Sequence, residues 1–123
     1  MIAKLLVLHF IADFLLQTRE MGKTKSSNPV MLAGHMLIQW LVFLPFTNGE
    51  FATVNMLIHG LIDWNIWRLY KYSVVKRFSQ LNWKDPQQAA SYDYWNDSWF
   101  YHTIGFDQMA HGLTLVFLAG ALL

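Results

Sequence analysis

A chain of 123 residues is long enough for one domain and too short for two. With 54% hydrophobic, 16% aromatic and only 14% charged residues it has too little polar surface to solvate a globule, so membrane insertion is the expected class. The absence of cysteine excludes thiolate metal sites, disulfides and cysteine nucleophiles, and a net charge of +1 excludes the bulk field that attracts nucleic acid.

A spanning helix needs about 20 mainly apolar residues, and four segments approach this. The first runs from Met1 to about Thr18. It places a lysine before an apolar run, as a signal peptide does, but it lacks a small-residue cleavage site and carries His9 and Asp13, so it reads as a retained helix. The second runs from about Pro29 to Phe46, opened by Asn28 as a cap with proline at the first helical position. Thr47-Asn48-Gly49 then forms a tight turn, which makes the second and third helices an antiparallel hairpin. The third helix runs from about Phe51 to Tyr70 and is closed by Arg68 and Lys71, favourable for its dipole. A long connection, Ser73 to His102, holds Tyr92, Tyr94, Trp95, Trp99, Phe100 and Tyr101 among Asp93, Asn96 and Asp97. Such aromatics favour the headgroup region, so an interfacial segment or lid is expected there, with a plain surface connector as the alternative. The fourth helix runs from about Thr103 to Leu123.

The expected fold is therefore all-α, a single domain over residues 1–123, built as an integral membrane bundle of four transmembrane helices with an aromatic interfacial segment before the last. Basic residues set its orientation. Arg19, Lys23 and Lys25 follow helix one, and Arg68, Lys71, Lys76, Arg77 and Lys84 follow helix three, whereas the opposite side has only Lys4 and the amino terminus. The positive-inside rule places both long loops in the cytoplasm and both termini outside, in an inner membrane crossed several times. Arg19, Lys23 and Lys25 read as topology signals, with a second role in binding an anionic headgroup.

Seven ionisable side chains interrupt the spans. His9 and Asp13 are four apart, as are His59 and Asp63, and Asp107 and His111 in reverse order; His35 is followed four residues on by Gln39. Residues four apart share a helix face. At the helical rise, Asp13 lies roughly 7 Å from the loop end of its helix, His35 roughly 9 Å, Asp63 roughly 10 Å and Asp107 roughly 6 Å, with His9, His59 and His111 about one turn deeper. Agreement in depth across four helices is what one shared site requires. Leu8 to Phe14 also resembles Ile58 to Trp64, a faint internal repeat that suggests two hairpins related by an axis along the membrane normal, and Gly34, Gly60 and Gly112 would allow close helix approach.

Intramembrane His and Asp point to function. The favoured chemistry is a metal site with His9, Asp13, His35, His59, Asp63, Asp107 and His111 as ligands, enough for one or two divalent ions sharing a carboxylate. Zinc is the first choice, with manganese or iron as alternatives. Gln17, Gln39, Asn55 and Gln108 would orient the ligands from outside. One of Asp13, Asp63 and Asp107 is the candidate general base of a catalytic site. A proton or ion path along the same residues and an uncharged hydrogen-bond network that only holds the helices together remain open. There is no nucleophile elbow, phosphate-binding glycine loop or nucleic-acid motif, and Gly22-Lys23-Thr24 lacks the upstream glycine of a P-loop.

The strings His9-Phe-Ile-Ala-Asp13-Phe-Leu-Leu-Gln17, the His35 helix, His59-Gly-Leu-Ile-Asp63 and Asp97-x-Trp99-Phe-Tyr101-x-Thr-Ile-Gly-x-Asp107-Gln-x-x-His111 resemble a family of small bacterial and phage membrane proteins known only as domain of unknown function 3307. That resemblance covers nearly the whole chain and implies fold and membrane location rather than activity. The His-x3-Asp spacing is more loosely similar to the LexA-regulated, membrane-bound metal-dependent hydrolases, which implies hydrolysis of a lipid ester or phosphoester near the cytoplasmic leaflet. Membrane lipids are the expected partners, nucleic acid is not, and a homo-oligomer enclosing the site between protomers is open. The alternatives to a hydrolase are a metal or proton transporter and a structural membrane protein.

Overall fold

The computed structural model describes residues 1–77 and 96–123, and among these residues the fold is all-α with no strand. Helix α1 (Ile2–Phe10) continues through a π turn (Ile11–Leu15). A short α2 (Arg19–Thr24) follows, then α3 (Pro29–Phe43) ending in a 3-10 turn (Leu44–Phe46), α4 (Gly49–Arg77) and α5 (Ser98–Leu122). Tyr92, Asp93, Tyr94 and Trp95 of the expected interfacial segment lie outside the described residues.

Local chemistry sets the boundaries. Thr18 Oγ1 accepts from Met21 N at 3.1 Å and starts α2. Asn28 Oδ1 accepts from Val30 N at 3.0 Å and precedes Pro29 at the first helical position, as expected. Asn48 Oδ1 accepts from Phe51 N at 2.8 Å and opens α4 across the predicted tight turn. The expected boundaries of the last two helices are corrected: α4 continues past Tyr70 to Arg77, and α5 starts at Ser98 rather than near Thr103. Asp97 is the reason. Its Oδ1 caps α5 by accepting from Trp99 N at 3.1 Å. The same carboxylate accepts both Nη1 and Nη2 of Arg77 at 2.9 Å and the Tyr70 hydroxyl at 2.7 Å. A bidentate pair on a buried cap ties the end of α4 to the start of α5.

α3 and α5 each pack against both α1 and α4, so α1 and α4 stand on a diagonal of the bundle. This is the placement a twofold relation between the α1–α3 and α4–α5 hairpins would give. At one end the α3–α4 turn meets both termini: Asn48 Nδ2 donates to Leu122 O at 3.1 Å, and Lys4 Nζ stands 5.0 Å over the Phe46 ring. That end is dry. Leu5, Phe43, Phe51, Ala52, Leu115 and Leu118 form its core, with Phe43 and Phe51 ring centroids 5.9 Å apart. Gly60 makes room for Met36 of α3, since a Cβ there would fall 2.5 Å from Met36 Sδ.

The other half of the interior is polar, and the outside is apolar. Asp63 and His35 are fully buried, whereas Phe117 is 73% exposed and Val7, Phe10, Leu41, Leu61 and Leu113 are exposed as well. Among the described residues one helix, Pro29–Phe46, is long and apolar enough to cross a membrane, with a mean hydropathy of 1.6. The expected set of four spans is not confirmed on this measure. α1 with its π turn is shorter than a span requires, and α4 and α5 carry the polar residues of the interior.

Asp97→Ala is expected to destabilise the fold by about 2–4 kcal/mol, because it removes a cap, the bidentate pair with Arg77 and an acceptor of the Tyr70 hydroxyl. Tyr70→Phe, which loses one hydrogen bond, should cost about 1 kcal/mol. Equilibrium unfolding of the purified variants checks the order.

Candidate metal centre

Each long helix contributes to one buried cluster. α1 supplies His9 in its last turn and Asp13 in the π turn; α3 supplies His35; α4 supplies His59 and Asp63; α5 supplies Asp107 and His111. All seven are buried. The π turn adds an extra residue to the helical repeat where Asp13 sits, a distortion common at functional sites.

The centre of the cluster has the dimensions of a ligand set. His35 Nε2 and His59 Nε2 are 2.9 Å apart. His35 Nε2 lies 3.0 Å from Asp13 Oδ1 and 3.2 Å from Asp63 Oδ2. His59 Nε2 lies 3.3 Å from Asp13 Oδ1 and 3.1 Å from Asp63 Oδ2. Four donor atoms at the corners of a tetrahedron around zinc, with bonds of about 2.0–2.1 Å, are separated by roughly 3.3 Å. The separations above are five of the six edges of such a figure, each within a few tenths of an ångström. Asp13, His35, His59 and Asp63 can therefore hold a metal ion, and so can a second group, Asp13, Asp107 and His111. Asp13 belongs to both, as a bridging carboxylate would. His111 Nε2 reaches Asp107 Oδ1 at 3.4 Å and Asp63 Oδ1 at 3.3 Å, so Asp63 also touches both groups.

Unsatisfied atoms point the same way. Among the described residues Asp107 Oδ1 is buried without a hydrogen-bond partner. Asp63 Oδ2 is met by the Lys25 ammonium at 3.0 Å, with His59 and His35 Nε2 at 3.1 and 3.2 Å. Buried carboxylate oxygens without aligned donors are costly unless a cation meets them. His35 Nδ1, on the far side of its ring, also has no partner among the described residues.

Of the seven predicted ligands, His9 stands apart from both groups. Its Nε2 meets Gln108 Oε1 at 3.0 Å and is 3.6 Å from Asp13 Oδ2. Two of the four expected outer partners, Gln108 and Gln39, reach Asp13. Gln108 Nε2 donates to Asp13 Oδ2 at 3.0 Å and to Asp107 Oδ2 at 3.2 Å, while Gln39 Nε2 is 3.5 Å from Asp13 Oδ1. Asn55 is buried one turn toward the dry end, and its Nδ2 makes no hydrogen bond.

Sequence reasoning misplaced Lys25. Read there with Arg19 and Lys23 as a topology signal, or as a binder of an anionic headgroup near the site, it is 4% exposed and folded into the cluster. Its Nζ is 3.0 Å from Asp63 Oδ2, 4.0 Å from Asp13 Oδ1 and donates to Gln17 Oε1 at 2.9 Å. α2 folds back against α3 and delivers it. No periodicity links Lys25 to Asp63, so nothing in the sequence singled it out from Arg19. Burial by itself lowers the pKa of its ammonium, but Asp63, Asp13 and Asp107 outweigh burial and hold it above the ordinary 10.5. Half-buried Lys71, next to the loop end of the cluster, goes the other way: burial first, then Arg68 and Lys25, push it down to about 8.

The family model described as a protein of unknown function (DUF3307) matches residues 1–122. No curated protein and no solved structure matches the chain. The looser similarity to the LexA-regulated hydrolases finds no support in these comparisons.

Lys25→Met is expected to cost about 3–5 kcal/mol at neutral pH, the usual result of removing one partner from a buried ionic group. Because the folded pKa of Lys25 lies above its unfolded value of 10.5, its contribution is complete below that pH and is lost only as the pH rises through the higher folded value. The difference in unfolding free energy between wild type and variant should therefore stay level from pH 7 to pH 10; a steady decline over that range would show that Lys25 is not held as an ammonium.

Proposed function

We propose that this chain, which belongs to the DUF3307 family, is a membrane-embedded metal-dependent hydrolase that cleaves an ester or phosphoester at the surface of the cytoplasmic leaflet. The observation that carries the metal reading is the tetrahedral spacing of His35, His59, Asp13 and Asp63, with Asp13 shared by a second group. Two ions of the zinc class would fit these donors, with manganese or iron as alternatives. Such ions lower the pKa of bound water and polarise the scissile group. The protein's own contribution is to hold three carboxylates and three imidazoles at fixed separations, with Gln108 and Gln39 orienting Asp13 and Asp107.

Membrane placement is supported by the inverted partition of the bundle, with apolar side chains outside and ionisable ones within. It is supported as well by cation–aromatic pairs near the loop end, where Arg68 lies 4.6 Å over Trp64 and Arg77 lies 4.6 Å over Trp99, the kind of amphipathic belt that sits at headgroup level. The basic residues of that end make it the cytoplasmic one in an inner-membrane protein with both termini outside. The polar cluster adjoins this end and is backed by the dry core of Phe43, Phe51, Leu5 and Leu115. A closed back wall favours a reaction site over a path for protons or metal ions, which needs polar groups along the whole membrane normal.

Elemental analysis of purified protein tests this reading first. About two ions per chain are expected, lost in Asp13→Ala and in Asp63→Ala but retained in His9→Ala, since His9 lies outside both groups. Metal-free protein that folds and does not take up zinc, manganese or iron would overturn it. With metal bound, release of phosphate or alcohol from a panel of phospholipids and isoprenoid phosphates should be abolished by chelation. Asp107→Asn should lower turnover by about 10²–10³ while keeping an ion in the four-ligand group. Metal-dependent flux in liposomes without hydrolysis would replace the hydrolase with a transporter.

A further inference from the structure

His9 stands outside both metal groups, and its hydrogen bond shows what it does instead. Gln108 Nε2 lies 3.0 Å from Asp13 Oδ2 and 3.2 Å from Asp107 Oδ2. Ionised carboxylates only accept hydrogen bonds, so the amide nitrogen of Gln108 belongs on their side and its oxygen on the other. That oxygen, Oε1, lies 3.0 Å from His9 Nε2. An amide oxygen also only accepts, so His9 Nε2 carries a proton and donates to it. A ring nitrogen that carries a proton has no lone pair left for a metal. Hydrogen bonding therefore keeps this atom of His9 from acting as a ligand.

The split begins in α1. His9 and Asp13 have the same spacing as His59 and Asp63, yet only His59 joins the four-ligand group. α4 is regular between its pair, and His59 Nε2 is 3.1 Å from Asp63 Oδ2. α1 gives way to the π turn, with Leu16 N donating to Ile11 O at 3.0 Å, and His9 Nε2 is 3.6 Å from Asp13 Oδ2. The wider turn separates the pair, and the Gln108 amide bridges it.

The two metal groups also differ in how they are held. His35, His59, Asp13 and Asp63 support one another at 2.9–3.3 Å. Asp107 has less company: its Oδ2 accepts from Gln108, and its Oδ1 stands 3.4 Å from His111 Nε2 with no hydrogen bond among the described residues. One amide thus spans Asp13 and Asp107, the two carboxylates of the three-ligand group, and His9 holds that amide by its far end.

We propose that Asp13, Asp107 and His111 form the weaker, exchangeable one of two metal sites, and that His9 is its positioning residue, acting through Gln108. This rests on the metal reading under Proposed function and divides its two ions by role. Four protein donors complete the tetrahedral shell of a zinc-class ion, whereas three leave a place for water or substrate, as catalytic sites do. The chemistry then belongs to the Asp107 side of the cluster, and the four-ligand group is its structural support.

The test strips the full chain of metal, titrates it with zinc and resolves the binding steps by competition with a chromogenic chelator. Wild type should bind two ions with unequal affinity. His9→Leu and His9→Gln both remove the ring and its contacts with the His59 and His111 rings, but only glutamine keeps an N–H for Gln108. His9→Leu and Gln108→Met should weaken the second step about 10- to 100-fold, leave the first unchanged and still hold two ions at saturating zinc; His9→Gln should recover most of the loss. An unchanged second step in His9→Leu would overturn the inference, and so would both steps weakened alike, the mark of a merely looser fold. Wild type that binds a single ion would overturn it and leave the four-ligand centre standing, whereas no ion at all would remove the metal reading itself. If the variants do not fold, nitrogen NMR of histidine-labelled wild type decides. Zinc should coordinate three of the four buried imidazoles and leave the fourth with its proton at Nε2; four coordinated imidazoles would overturn the inference.

Discussion

Three carboxylates buried within one small bundle set the terms for everything around them. Asp13, Asp63 and Asp107 come from three different helices and lie where almost no water reaches. Isolated ionised carboxylates cannot persist there, because the desolvation penalty exceeds what a fold of this size can supply. The surrounding atoms answer this in layers. Imidazole nitrogens from α3, α4 and α5 stand at about 3 Å, Gln108 and Gln39 donate from the side, and Lys25 closes the loop end. Even so, Asp107 Oδ1 remains without a hydrogen bond among the described residues. A purely structural network would be expected to satisfy every buried polar atom, since a half-satisfied one is worse than an apolar core. The arrangement is closer to a set of donors spaced for a cation.

The bundle divides along its axis to make room for this cluster. The end with the α3–α4 turn and both termini packs Phe43, Phe51, Leu5 and Leu115 into a dry core that joins the helices without polar help. The cluster lies beyond this core, where charge and hydrogen bonds join the helices, and past it Tyr70, Val74 and the rings of Trp67 and Phe100 pack again at the loop end. Rigidity at one end therefore supports precise placement at the other. The latch of Arg77, Tyr70 and Asp97 serves the same purpose from the loop side, since it fixes the start of α5 and with it the depth of Asp107 and His111. The exterior completes the division: large apolar side chains, among them Phe10, Leu41, Leu61 and Phe117, face outward along α1, α3, α4 and α5.

Much of this was legible in the chain. Pairs at spacing four put His and Asp on single helix faces, and the equal depth of four such faces required them to meet. The structure brings all seven together, and it confirms Asn28 as a cap and the turn at Thr47-Asn48-Gly49. These features depend on separations of a few residues, and local geometry fixes such separations whatever the rest of the fold does. The ends of α4 and α5 were less legible because their reach is set by a contact between residues 20 apart, Arg77 and Asp97.

What the sequence determined by itself is an all-α chain whose helices each carry one polar face at a common depth, because helical period and apolar content are written residue by residue. What only the tertiary structure decided is which of those polar atoms become neighbours. It divides the ligands into a group of four and a group of three with Asp13 in common, leaves His9 on Gln108, and turns Lys25 from a loop residue into the cation that faces Asp63. The physical reason is that Coulomb interactions and coordination depend on separations of a few ångströms between side chains from different helices. Those distances are set by the packing of α1, α3, α4 and α5 and the fold-back of α2, not by position along the chain.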